Sequence, residues 1–73
     1  MWKIQNHVRY YRERNSLTQE WLAEVSRVHK VTISNIETNK IVRPHPSTRQ
    51  KLAKAMNIKV CQLFTPVRVS PTR

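Results

Sequence analysis

Along most of the chain the apolar residues recur at helical spacing and not in alternation. Ile4, Val8 and Tyr11 fall at i, i+4 and i+7, which predicts one face of a first helix ending near Arg14. Arg14-Asn15-Ser16 reads as a connector. Thr18 suits the N-cap of a second helix, and Glu20 in its first turn complements the helix dipole. Leu22 and Val25 are expected to face inward there, with Ala23 close against a neighbouring helix. A break follows at Ser26-Arg27-Val28-His29. A third helix is predicted from about Lys30 to Thr38, burying Ile33 and Ile36. Asn39 fits the position after it, because Asn tolerates a left-handed backbone better than most L-residues.

Pro44 and Pro46 make 41–46 an extended loop. Ser47 with Gln50 three residues on is a capping-box signal for a fourth helix carrying Leu52, Ala55 and Met56 inward and ending at Asn57. A short last helix, about Val60 to Phe64, is stopped by Thr65-Pro66. Residues 65–73 hold two Pro and two Arg and read as a disordered basic tail. Trp2 is expected as a lid over the first helix. The prediction is an all-α domain of about five short helices over 1–64, with the second and third joined by a short turn as a helix-turn-helix unit across Thr18 to Thr38.

Charge changes the picture from fold to partner. The 73 residues carry 14 Lys and Arg against four acids, a net +10, which implies a polyanionic partner with nucleic acid first. With no Asp, and with His7, His29, His45 and Cys61 lacking ligand spacing, neither a catalytic triad nor a metal site is expected. There is no Gly-rich phosphate loop, so no enzyme activity and no cofactor are expected. A lone Cys suits a reducing cytosol. No apolar run approaches the roughly 18 residues of a membrane span, and the start is too polar for a signal peptide. A cytoplasmic protein is the expectation.

Four stretches carry a resemblance. They are Leu17-Thr18-Gln19-Glu20-Trp21-Leu22-Ala23-Glu24, then Val31-Thr32-Ile33-Ser34-Asn35-Ile36-Glu37 with Asn39-Lys40, then Pro46-Ser47 through Lys51-Leu52-Ala53-Lys54-Ala55-Met56, and Val60-Cys61-Gln62-Leu63-Phe64. In order and spacing they resemble the Cro/phage-repressor (Xre) helix-turn-helix family over about residues 4–64, and the lambda-repressor-like fold is what this implies. The chain departs from the pattern where Arg27 replaces the turn Gly. Ser26 stands at a usually apolar site, Trp21 replaces a capping Glu, and His29 occupies a Ser/Thr cap site.

The outward side of the third helix has residue types suited to base edges. Lys30 can donate to guanine, Asn35 can pair with adenine, and Val31 can touch a thymine methyl. The resemblance places base readers at Lys30, Val31, Ser34 and Asn35, and backbone contacts at Asn39, Lys40 and Arg43. Gln19, in the first turn of the second helix, is expected at a phosphate. Arg12 and Glu37 hold the places of a family ion pair that could also aim the guanidinium at a phosphate. With about four to six phosphates neutralised per subunit, affinity should fall steeply with salt.

The resemblance also implies a homodimer on a palindromic operator, in contact around Asn57 to Cys61 with Ile58 and Val60. The reading is a sequence-specific double-stranded DNA-binding transcriptional regulator, a repressor. The alternative is a protein-interaction module, such as an antitoxin or antirepressor partner, using an exposed Trp21. Membrane or RNA binding lacks the broad amphipathic face or the aromatic stacking platform it would need.

Overall fold

The computed structural model describes residues 2–68. Its elements run β1 (Trp2–Asn6), α1 (Val8–Arg14), α2 (Gln19–Ser26), α3 (Lys30–Glu37), α4 (Pro46–Ala55), α5 (Val60–Leu63) and β2 (Phe64–Arg68). This is an all-α helix-turn-helix domain with one small strand pair joining its ends. Val8, Leu22, Val28, Ile33, Ile36, Leu52, Ala53, Met56, Leu63 and Phe64 form one buried cluster. Every helix contributes to it, so none of these short helices depends on intrinsic propensity alone. No helix among the described residues is long and apolar enough to cross a membrane.

The first correction is at the N-terminus. Ile4 lies on a strand, not on the first helix, although it still packs against the core. The reason is a competing set of bonds. The His7 N–H donates to the Leu63 carbonyl at 2.8 Å, and the Val8 N–H donates to the Asn6 side-chain oxygen at 3.3 Å. Both donors are committed before a helical turn could form through them. The strand β1 pairs antiparallel with β2, Ile4 opposite Pro66 and Asn6 opposite Phe64. With the His7 N–H donating to the Leu63 carbonyl just past the ladder's end, the alternation puts Pro66 at a non-hydrogen-bonded position where its missing N–H breaks nothing. Residues 65–68 are therefore paired in a strand, where the sequence suggested a disordered tail. Residues 69–73 and the Trp2 side chain lie outside the described residues.

A chain without Gly must turn its helices with L-residues, and among the described residues four adopt positive φ: Ser16, Arg27, Asn39 and Asn57. After α1, α3 and α4 the pattern is the same. Asn39 donates to the Ile36 carbonyl at 3.1 Å and Lys40 to the Asn35 carbonyl at 2.8 Å, which is a Schellman closure. Ser16 and Leu17 close α1 the same way, and Asn57 and Ile58 close α4. Arg27 takes the αL conformation itself at φ 60°, at a cost of roughly 1–2 kcal/mol that Gly would not incur.

Three further expectations change. Val25 is 50% exposed while Ser26 is 5% exposed. The buried arc of α2 centres on Leu22, Ser26 and Ala23, because α2 packs against both α3 and α4. The Ser26 hydroxyl is satisfied there by the Val28 N–H at 3.3 Å. In α4 the cap is His45, not Ser47. Pro46 occupies the first turn, and the His45 Nδ1 accepts from the Ser47 N–H at 3.2 Å. Pro suits that position because its fixed φ is helical and its missing N–H would have had no partner. The last helix stops at Leu63, and Phe64 opens β2.

Candidate nucleic-acid interface

The helix-turn-helix unit starts at Thr18, whose hydroxyl accepts from the Trp21 N–H at 3.0 Å and caps α2. After the αL turn at Arg27, extended His29 leads into α3 without a side-chain cap bond. Ile33 and Ile36 are fully buried, which fixes the rotation of α3 about its axis. The opposite side therefore presents Lys30 and Val31, with Val31 67% exposed. Ser34 and Asn35 sit half-buried on its flanks, and Thr38 is exposed at the far end. The expected base readers thus lie together on one helix, with the first turn the most open part.

Lys30 is not a free cation in this state. Its Nζ donates to Glu20 Oε2 at 2.8 Å, across the turn from α2. The hydrogen bond from Lys30 holds the Glu20 carboxyl below its ordinary value. Sequence reading had Glu20 only as a first-turn acid that complements the dipole of the second helix. Its partner ten residues away becomes visible only when the turn brings the two helices together.

Behind this surface sits a charged core. The Arg12 Nε donates to Glu37 Oε2 at 2.8 Å, and Nη2 donates to Oε1 at 3.1 Å. The third nitrogen, Nη1, donates to the Leu17 carbonyl at 2.7 Å. The Gln19 side-chain amide donates to Glu37 Oε1 at 3.1 Å. The side chains of Arg12 and Glu37 are only 13% and 4% exposed. The hydrogen bond with Glu37 raises the Arg12 pKa above its already high ordinary value, so the guanidinium stays charged. One carboxylate thus ties α1, the start of α2 and the end of α3 together. Both Arg12 and Gln19 turn toward Glu37, which gives them a bracing role behind the surface.

Asn39, Lys40 and Arg43 are exposed in the segment after α3. Asn39 has a partner that sequence reading missed. The Asn6 Nδ2 donates to the Ile36 carbonyl at 3.0 Å and to the Asn39 Oδ1 at 3.1 Å. The only local hint was an Asn just before a helix. Between α4 and α5, half-buried Ile58 and Val60 border a shallow groove with Asn57, Lys59 and Gln62, and Cys61 is exposed nearby in sequence. Among the described residues no group of three or more His, Cys, Asp or Glu could hold a metal ion.

A family model described as helix-turn-helix matches residues 8–63. Control protein C.SmaI of Serratia marcescens is 42% identical over 62 residues, spanning 85% of this chain and 73% of that relative. The match runs from the start of α1 to the end of α5 and takes in the whole motif just described. The chain therefore belongs to the Xre-type helix-turn-helix family of DNA-binding transcriptional regulators.

Proposed function

We propose that this protein binds double-stranded DNA sequence-specifically by laying α3 in the major groove, as a homodimer on a palindromic operator. The observation that carries the reading is the rotation of α3. Its apolar side is fully buried, and the side bearing Lys30 and Val31 is left open at the helix's N-terminal turn. In helix-turn-helix proteins that turn is the part that meets base edges. Lys30, on leaving its exposed pair with Glu20, donates to guanine, Val31 packs on a thymine methyl, and Ser34 and Asn35 read the flanking positions. Asn39, Lys40 and Arg43 hold the phosphates beside it, and Arg12, Gln19 and Glu37 keep the reading helix at its angle. Dimer contact through Ile58 and Val60 sets two reading helices one DNA turn apart, about 34 Å. Occupying an operator is enough to exclude polymerase, and repression is the direction we assign. The relative's name, a control protein, supports a regulatory role.

The test is selection of bound duplexes from a random pool, followed by titration of the winner and a scrambled control. The expected result is a palindromic winner bound at least about a thousandfold more tightly than the control, with a steep loss of affinity in salt. Transcription from a promoter overlapping that site should fall as protein is added. Equal affinity for both duplexes would overturn specific readout, and one subunit per palindrome at saturation would overturn the dimer. A second reading is favoured by Trp21 and Val25, which stand exposed one turn apart on α2. A protein-interaction module using that pair would retain its partner, and lose no DNA affinity, when Lys30 and Asn35 are replaced by Ala.

A further inference from the structure

We propose that Asn6 is a positioning residue that orients the Asn39 side chain as a hydrogen-bond donor to a DNA phosphate. The proposal rests on the DNA-binding reading above. It follows from the order in which the amide ends are occupied. Asn6 Oδ1 accepts from the Val8 N–H at 3.3 Å. That settles which end of the Asn6 amide faces inward, so its nitrogen must face the end of α3. There it donates to the Ile36 carbonyl at 3.0 Å and to Asn39 Oδ1 at 3.1 Å.

Asn39 is held in place by its own backbone, at φ 64° with its N–H on the Ile36 carbonyl at 3.1 Å. Its side-chain oxygen is thereby occupied from behind. An amide has an accepting end and a donating end. On an exposed Asn the two ends would interchange freely, and the oxygen would repel a phosphate half the time. With the oxygen engaged by Asn6, the Nδ2 group is the end left to face outward. Among the described residues no acceptor is paired with it. The amide donor so presented lies on the exposed segment next to Lys40.

The strand pair gains a purpose from this. Asn6 ends β1 opposite Phe64, which is buried in the core. The ribbon of chain ends therefore anchors the donor from behind the reading helix, across 33 residues of sequence.

The test uses Asn6→Ser, which keeps an oxygen for the Val8 N–H but cannot reach Asn39, together with Asn39→Ala and the double variant. Affinities are measured on the selected operator and on the scrambled duplex. Hydrogen bonds to charged groups suggest a loss of about tenfold for Asn6→Ser. The loss should be equal on both duplexes, since a phosphate contact carries no sequence information. The salt slope should stay unchanged, because no cation is removed. In the Asn39→Ala background, Asn6→Ser should add nothing.

A scan of single methylphosphonates should find one phosphate whose replacement weakens the wild type and not Asn6→Ser. Should Asn6→Ser fold poorly, the same scan on Asn6→Asp decides the matter, because its carboxylate still accepts from the Val8 N–H but cannot donate to Asn39. An equal loss from Asn6→Ser with or without Asn39, or no loss at all, overturns the proposal while the DNA reading stands. A wild type that selects no duplex removes the DNA reading itself.

Discussion

Replacing Glu37 with Gln keeps the shape of the side chain and removes its charge. In the wild type, Glu37 accepts two hydrogen bonds from Arg12 and one from Gln19. A carboxamide can accept at only one end. Its other end would aim an N–H group either at the Arg12 Nε–H or at the Arg12 Nη2 and Gln19 donors. With 13% of its side chain exposed, Arg12 cannot turn to water for a replacement partner.

Removing one member of a buried pair costs about 3–5 kcal/mol, mostly because the other charge is left uncompensated. A domain of this length has a total stability of roughly 4–11 kcal/mol. The substitution should therefore lower Tm by at least about 12 °C, using the lower cost and about 4 °C per kcal/mol for a small domain. Thermal denaturation followed by circular dichroism measures this directly, with urea melts to place the change on a free-energy scale. The double variant Arg12→Met with Glu37→Met should be less damaging than Glu37→Gln alone, because an apolar pair leaves no buried charge. A Glu37→Gln protein melting within about 2 °C of the wild type would refute the reasoning. It would mean that the pair is worth no more than an ion pair at the surface.

Two other outcomes can be checked. Arg27→Gly removes the Cβ strain of the αL turn but adds unfolded-state freedom, so it should stabilise by about 0.5–1 kcal/mol, read as a higher urea midpoint. A lower midpoint would show that the Arg27 side chain makes compensating contacts. The Glu20 carboxyl lies below its ordinary value of 4.5 because Lys30 donates to it. Its pair with Lys30 is thus complete above 4.5 and is lost as pH falls through the lower folded value. Carboxyl NMR should give a Glu20 midpoint below the ordinary value that rises toward it in Lys30→Ala; an unchanged midpoint would sink the pairing.

Much of the helical framework is legible because its signals are local. The spacing of Leu22, Ile33, Ile36 and Leu52, the Thr18 cap, and Asn39 and Asn57 after their helices all act within a turn or two of chain. A helix needs only neighbours at i+3 and i+4 to declare its buried side. The exposed face of α3 was visible for the same reason, since two isoleucines fix its rotation. Tertiary packing alone decided what depends on distant partners. Ile4 keeps helical spacing with Val8 and Tyr11, yet it becomes a strand because β2, some 60 residues away, supplies a ladder for it. Val25 loses its inward place to Ser26 because α2 is wedged between α3 and α4, and a wheel drawn on one helix does not show where the second neighbour lies. The Asn6–Asn39 and Lys30–Glu20 contacts belong to the same class. A polar side chain can bond to any of several partners, and only the folded chain selects which one comes within reach.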